Sequence, residues 1–246
     1  MPLFDANCCL GSWPEGGPTL AERGDLLAAM DRLGIAKALV RHTLGIHDAP
    51  ERANRVLLEQ LAGHERLAPC WTGLPPATGE LGALDDWLAS ASRHRVRAVA
   101  LYPTSHGYPL APWLCDGLLA PLAERHTLLL IELAQTTYED LHRLCGDYGG
   151  LRVLALSPGY RVLRPLYGLL DQHSNLYVDV SNLANFCGLE ALAARFGAER
   201  LVFGTGQPRT DGAGIATALR YAALSAAEVA AIAGGNLNRL LGEVQP

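Results

Sequence analysis

The chain has 246 residues, of which 49% are hydrophobic and 18% charged, and its 25 acids outnumber 20 bases for a net charge of −5. That length builds one large core, and a mildly acidic balance with no basic block argues against nucleic acid or an anionic membrane as partner. No run approaches the ~18 apolar residues of a membrane span, and the start Met1-Pro2-Leu3-Phe4-Asp5 lacks the basic and apolar regions of a signal peptide, so the cytoplasm is the expected compartment.

From the N-terminus, an apolar run at 3–6 precedes a helical pattern over 20–33, with Thr19 and Glu22 spaced as a capping box and Gly34 as C-cap. A run at 37–40 leads to a helix over 50–62 that opens on Pro50, and a run at 67–70 leads to one over 81–94. Next come 98–101 with a helix over 112–125 opening on Pro112, 128–131 with 138–146, and 153–156 with 163–173. The last pairs are 176–179 with 188–196 and 201–203 with 212–224, followed by a short helix capped by Ser225 and Glu228. The stretches 11–18 and 72–79, rich in Gly and Pro, read as loops.

The apolar runs are nearly continuous, as in strands buried on both faces, and they recur about every 30 residues, the size of a βα unit. This predicts a single-domain (β/α)8 TIM barrel over 1–246, with short C-terminal helices. A doubly wound open sheet is the alternative. It calls for a phosphate loop, and neither GxGxxG after the first strand nor GxxxxGK[ST] occurs. The six cysteines, at 8, 9, 70, 115, 145 and 187, form no CxxC pair and are expected as reduced thiols.

The first strand reads Phe4-Asp5-Ala6-Asn7-Cys8-Cys9-Leu10-Gly11, and a late segment reads Arg200-Leu201-Val202-Phe203-Gly204-Thr205-Gly206-Gln207-Pro208. Gly234-Gly235-Asn236 and Leu240-Leu241-Gly242 close the chain. These segments resemble the amidohydrolase-related family, in the branch similar to aminocarboxymuconate semialdehyde decarboxylase. There the corresponding patterns are Asp-x-His-x-His-x-Gly, Phe-Gly-Ser-Asp-x-Pro and Gly-Asn-Ala-x-x-Leu. The resemblance implies a barrel whose metal is held at strand ends and whose activity is hydrolysis or decarboxylation.

The departures from the pattern fall on the implied metal ligands. The paired histidines of the first strand correspond to Asn7 and Cys9, the histidine of the fifth strand to Glu132, that of the sixth to Ser157, and the last aspartate to Gly206. An ion lowers the pKa of bound water from ~15.7 to near 7, and forming hydroxide without it costs on the order of 12 kcal/mol. Zinc needs three or four imidazole, thiolate or carboxylate ligands. The expectation is therefore that neither a metal nor any other cofactor is used. The competing expectation is a site rebuilt from Cys9, His106 and Glu132.

Polar residues remain at strand C-terminal ends, where barrel chemistry occurs. Glu132, His106 and Cys9 are the candidate catalytic groups, although Cys9 also reads as a small space-filling hydrophobe. Asn7, Arg41, His42, Tyr108, Ser157 and Asn182 are the candidate ligand-binding groups. Their alternative reading is the polar lining of any barrel end. Side chains alternate along a strand, so one of Cys8 and Cys9 points inward and the other outward. His64, His94, His126, His142 and His173 fall away from strand C-termini and read as surface residues.

Glu132 follows a buried strand. Unless Arg41 or His106 reaches it, burial should raise its pKa and make it a general acid. The functional expectation is an amidohydrolase-like barrel that binds a small carboxylate- or carbonyl-bearing molecule without metal and acts as a metal-independent hydrolase or lyase. The alternative is an inactive ligand- or partner-binding pseudoenzyme, its mouth plugged by Trp13, Tyr108 or Phe186. The expected partner is a small molecule, and a homodimer is compatible with the sequence.

Overall fold

The computed structural model describes residues 2–183 and 185–245. Eight parallel strands succeed one another in sequence order: β1 (Leu3–Leu10), β2 (Ile35–His42), β3 (Leu67–Thr72), β4 (Ala98–Leu101), β5 (Leu128–Glu132), β6 (Arg152–Leu156), β7 (Leu176–Asp179) and β8 (Leu201–Val202). The open-sheet alternative fails at the seam. The Ala6 amide donates to Phe203 O at 2.9 Å, Gly206 to Asn7 O at 2.7 Å and Cys9 to Gln207 O at 3.0 Å, so the segment after β8 returns to β1. The protein is a single (β/α)8 barrel.

The helices form the outer ring: α1 (Arg23–Leu33), α2 (Leu44–His47), α3 (Pro50–Leu61), α4 (Leu84–Arg93), α5 (Pro112–Glu124), α6 (Tyr138–Asp147), α7 (Leu163–Gln172), α8 (Gly188–Phe196) and α9 (Ala213–Tyr221). Pro50 and Pro112 begin their helices, where a missing N–H costs nothing. Two predicted bounds shift for local reasons. Thr19 does not cap α1: Leu20 bridges to Gly11, and Glu22 becomes the N-cap in a reciprocal box with Asp25. The helix predicted over 81–94 starts at Leu84 because Gly82 adopts φ +76°. Ser225 and Glu228 do form a box, on α10 (Ala226–Ala230).

Strand alternation separates two cores. Inside the barrel, Phe4, Ala6, Cys9, Leu39, Leu130 and Leu154 pack together. Leu237, Leu240 and Leu241 of α11 (Asn236–Gly242) join this cluster and seal the end where the strands begin. Cys8, Val40, Leu129 and Ile131 face the helical ring instead. Cys9 is thus the inward cysteine of the pair and Cys8 the outward one. Of the described cysteines only Cys187 is exposed, and all are free thiols. His173 corrects the surface reading. It is buried, and its Nε2 lies 2.8 Å from His142 Nδ1. The opposite end, where the strands stop, stays open and polar.

Candidate functional site

The polar groups at the open end begin with β1. Asp5 and Asn7 lie two residues apart on this strand, with a register irregularity between Asp5 and Cys8, and both are buried. Asp5 ties the seam: Oδ1 accepts from the amides of Asn7 and Thr205, both at 2.9 Å, and Oδ2 from the Thr205 hydroxyl at 2.5 Å. Burial raises its pKa to about 6 against the pull of these donors. Asn7 sits one turn of the pleat higher. Its Nδ2 donates to Asp179 Oδ2 at 2.7 Å, with the hydroxyl oxygens of Ser181 and Ser157 at 3.1 and 3.2 Å.

Asp179, the last residue of β7, also accepts from the Ser157 amide at 3.0 Å, the Ser181 amide at 2.9 Å and the Ser181 hydroxyl at 2.5 Å. Burial raises its pKa and these donors oppose the shift. The close approach of β8 requires Gly204, since a Cβ there would lie 2.2 Å from Asp179 Oδ1. Ser157 holds its position at φ +55°, a left-handed conformation that costs of order 1–3 kcal/mol in a residue other than glycine.

Arg41, from the end of β2, occupies the centre and is buried. Its Nη1 donates to Glu132 Oε1 at 3.0 Å and to the Tyr102 hydroxyl at 3.1 Å, and its Nη2 donates to Asn7 Oδ1. Strands two and five are not neighbours in the barrel, but the guanidinium spans its interior and forms an ion pair with Glu132. The condition for an acid role, a buried carboxylate without a cation, is therefore not met. Glu132 Oε2 has no hydrogen-bond partner among the described residues. The Cys9 thiol is pushed up by burial against the pull of Arg41, which makes it a poor nucleophile.

A cavity of about 250 Å³ opens above this network. Six of the candidate residues line it together: Asn7, Cys9, Arg41, Glu132, Ser157 and Asn182. His106, Tyr108 and His42 do not. The His106 ring packs between Tyr102 and Tyr108, with ring centroids 5.8 and 6.3 Å away. His42 is buried under Gly11 and accepts from the Leu44 amide through Nδ1 at 3.2 Å. Burial lowers the pKa of both histidines.

The wall also contains Trp13, Ser181, Gln207, Arg209 and Thr210, which the sequence reading did not single out as site residues. Asp179, just below, carried a readable signal: a carboxylate ends an otherwise apolar strand. Arg209 sits on the loop after β8, and the ring it lies over, Trp13, is nearly 200 residues away in sequence. Of the side chains proposed as plugs, Trp13 forms part of the wall, Tyr108 lies off the cavity and Phe186 is exposed to solvent.

The family model described as amidohydrolase matches residues 16–242. The chain belongs to the amidohydrolase family. A search of curated proteins gives no match. Solved structures of similar fold include an uncharacterised TIM-barrel protein from Bordetella bronchiseptica, 15% identical over 99% of each chain, with a TM-score of 0.79. A 2,6-dihydroxybenzoate decarboxylase from Rhizobium is 13% identical over 98% of this chain and 99% of its own, with a TM-score of 0.78. A 5-carboxyvanillate decarboxylase from Novosphingobium aromaticivorans, complexed with manganese and a nitrobenzoic acid, is 14% identical over 98% and 96%, with a TM-score of 0.79. At these identities the likeness concerns the fold.

Proposed function

We propose that this amidohydrolase-family barrel binds a small carboxylate- or carbonyl-bearing organic molecule in its mouth cavity, without the metal that the family resemblance implies. The observation that carries this reading is the placement of the Arg41 guanidinium, bonded to Glu132 and Asn7 on the cavity floor. A divalent ion needs several anionic or imidazole ligands. Here Glu132 is taken by a resident cation, Asp179 by four donors, and the remaining implied positions offer an amide, a protonated thiol, a serine hydroxyl and a glycine. Gly206 stands at φ +73°, where a Cβ would lie 2.8 Å from Thr210 Oγ1. Among the described residues, no three His, Cys, Asp or Glu side chains converge to hold an ion. The residues present do not fit a metal.

In this reading Arg41 is the resident cation that holds Glu132 and Asn7 in place of an ion, and Glu132 Oε2 accepts a hydrogen bond from the ligand. The named decarboxylase relatives act on carboxylated aromatics, and a carboxylate ligand here agrees in type with theirs. Turnover as a metal-independent hydrolase or lyase is the second reading. It is supported by the uncommitted Glu132 oxygen and by the strained Ser157 backbone at the cavity wall. Purified protein is expected to carry well below one equivalent of zinc, iron or manganese, to keep its melting temperature in chelator, and to release a co-purified small acid on denaturation. A stoichiometric ion lost in Glu132→Gln or Cys9→Ser would overturn the metal-free reading.

A further inference from the structure

The mouth cavity is lined by two guanidinium groups and one carboxylate. Arg41 is committed to that carboxylate, 3.0 Å away, and its nitrogens also hold Tyr102 and Asn7. Arg209 is not so engaged. It is exposed at the rim and has no hydrogen-bond or carboxylate partner among the described residues. Its Cζ stands 4.9 Å over the Trp13 ring. Trp13 is buried and is met at its edge by His47 at 5.2 Å, so the plate beneath the guanidinium is itself held in place.

Asp211, the nearest acid along the chain, faces the adjoining cavity and caps the Ala213 amide at 3.0 Å. The wall of the mouth therefore keeps one positive charge uncompensated. Stacking uses the face of a guanidinium and leaves its in-plane N–H fork free, and that fork matches the two oxygens of a carboxylate. The charge is also felt at depth, since Arg209 is among the cations that pull on the Cys9 thiol.

We propose that Arg209, held over the Trp13 ring, is the residue that makes the mouth select an ionised carboxylate over a neutral carbonyl compound. This rests on the reading that the mouth binds a small organic molecule, and it names the group of that molecule which is recognised and where. The carboxylate lies at the rim against Arg209, and the rest of the ligand extends inward toward Glu132 Oε2. Arg41 does not meet the carboxylate because its charge is already answered.

The test uses benzoate and benzamide, a carboxylate and a neutral amide of matched shape. Titration calorimetry gives affinity, and the indole N–H resonance of Trp13, assigned with Trp13→Phe, reports binding in the mouth. The expected result is that wild type prefers benzoate by at least about tenfold, the scale of one charge-assisted hydrogen-bonded pair. In Arg209→Gln that preference should fall to within about twofold with benzamide affinity unchanged, and Arg209→Lys should restore part of it. Arg209 is exposed, so these variants fold as wild type does. If Arg209→Gln keeps the full preference while the Trp13 resonance still moves, the Arg209 assignment is wrong and the mouth-binding reading stands. If neither probe moves the Trp13 resonance of the wild type, both readings are overturned.

Discussion

The two halves of the barrel mouth are built from the same alternation of strand and loop but put their polar groups to different uses. On one side, β1, β2 and β5–β8 send Asn7, Arg41, Glu132, Ser157, Ser181 and Arg209 to a common cavity. On the other, β3 and β4 contribute no lining residue. The end of β3 is tied to α3, where Asn54 exchanges two hydrogen bonds with the Thr72 backbone at 2.7 and 2.9 Å. The loop after β4 folds His106 and Tyr108 against Tyr102. Tyr102 links the halves, reaching Arg41 from the end of β4. Lying at the end where the strands stop is thus necessary for a place in the site but does not confer one. The direction taken by the following loop decides.

The comparison breaks most sharply at Arg41. Arg41→Met leaves Glu132 and Asn7 without their shared partner, and losing one member of a buried pair costs about 3–5 kcal/mol. The melting temperature should fall by roughly 6–20 °C. Arg41→Met/Glu132→Leu should recover part of this, since no unpaired carboxylate remains. An unchanged melting temperature in the single variant would mean that the network does not organise this half.

A somewhat smaller effect is expected at the seam. The Asp5 pKa is raised from 3.8 to about 6, so between those values the folded state binds more proton than the unfolded. Stability contributed by this group is fully present below pH 3.8 and is lost as pH climbs through 6, by about 3 kcal/mol. Urea unfolding from pH 4 to 7 should show this decline, and Asp5→Asn should flatten it whatever the variant's absolute stability. Parallel pH profiles for the two proteins would place the Asp5 carboxyl in an ordinary environment.

The smallest effect sharpens the contrast from the other side. His106→Leu should leave benzoate affinity within about twofold and stability within about 1 kcal/mol, because the ring lies outside the cavity among aromatic neighbours. A large loss of binding would bring the β4 loop into the site and erase the distinction between the halves.

Much of the architecture was legible without coordinates. Runs such as 128–131 and 153–156 are apolar at every position because both faces of a barrel strand are covered, and they appear as β5 and β6 with ends moved by one residue. Prolines at helix starts and the Ser225–Glu228 box act locally, so their signals survive in the sequence. Among the candidate site residues, those on or directly after a strand end, such as Asn7, Cys9, Arg41, Glu132 and Ser157, meet at one cavity. His106 and Tyr108 lie several residues into a loop, and His42 at the end of β2 points under Gly11. Period and position along a strand do not encode those directions.

The amino-acid sequence by itself determined that this chain is a (β/α)8 barrel, that Cys8 and Cys9 face opposite ways, and at which end of the barrel the polar strand termini lie. These follow from side-chain alternation and from covering both faces of parallel strands, which act within a few residues. Only the tertiary structure decided that Arg41 crosses the barrel to Glu132, that Asn7 and Asp179 share a hydrogen bond, and that Arg209 rests on Trp13. Each of these pairs joins segments far apart in sequence, and its partners are chosen by distance across a closed barrel, which depends on closure and on how far each loop turns.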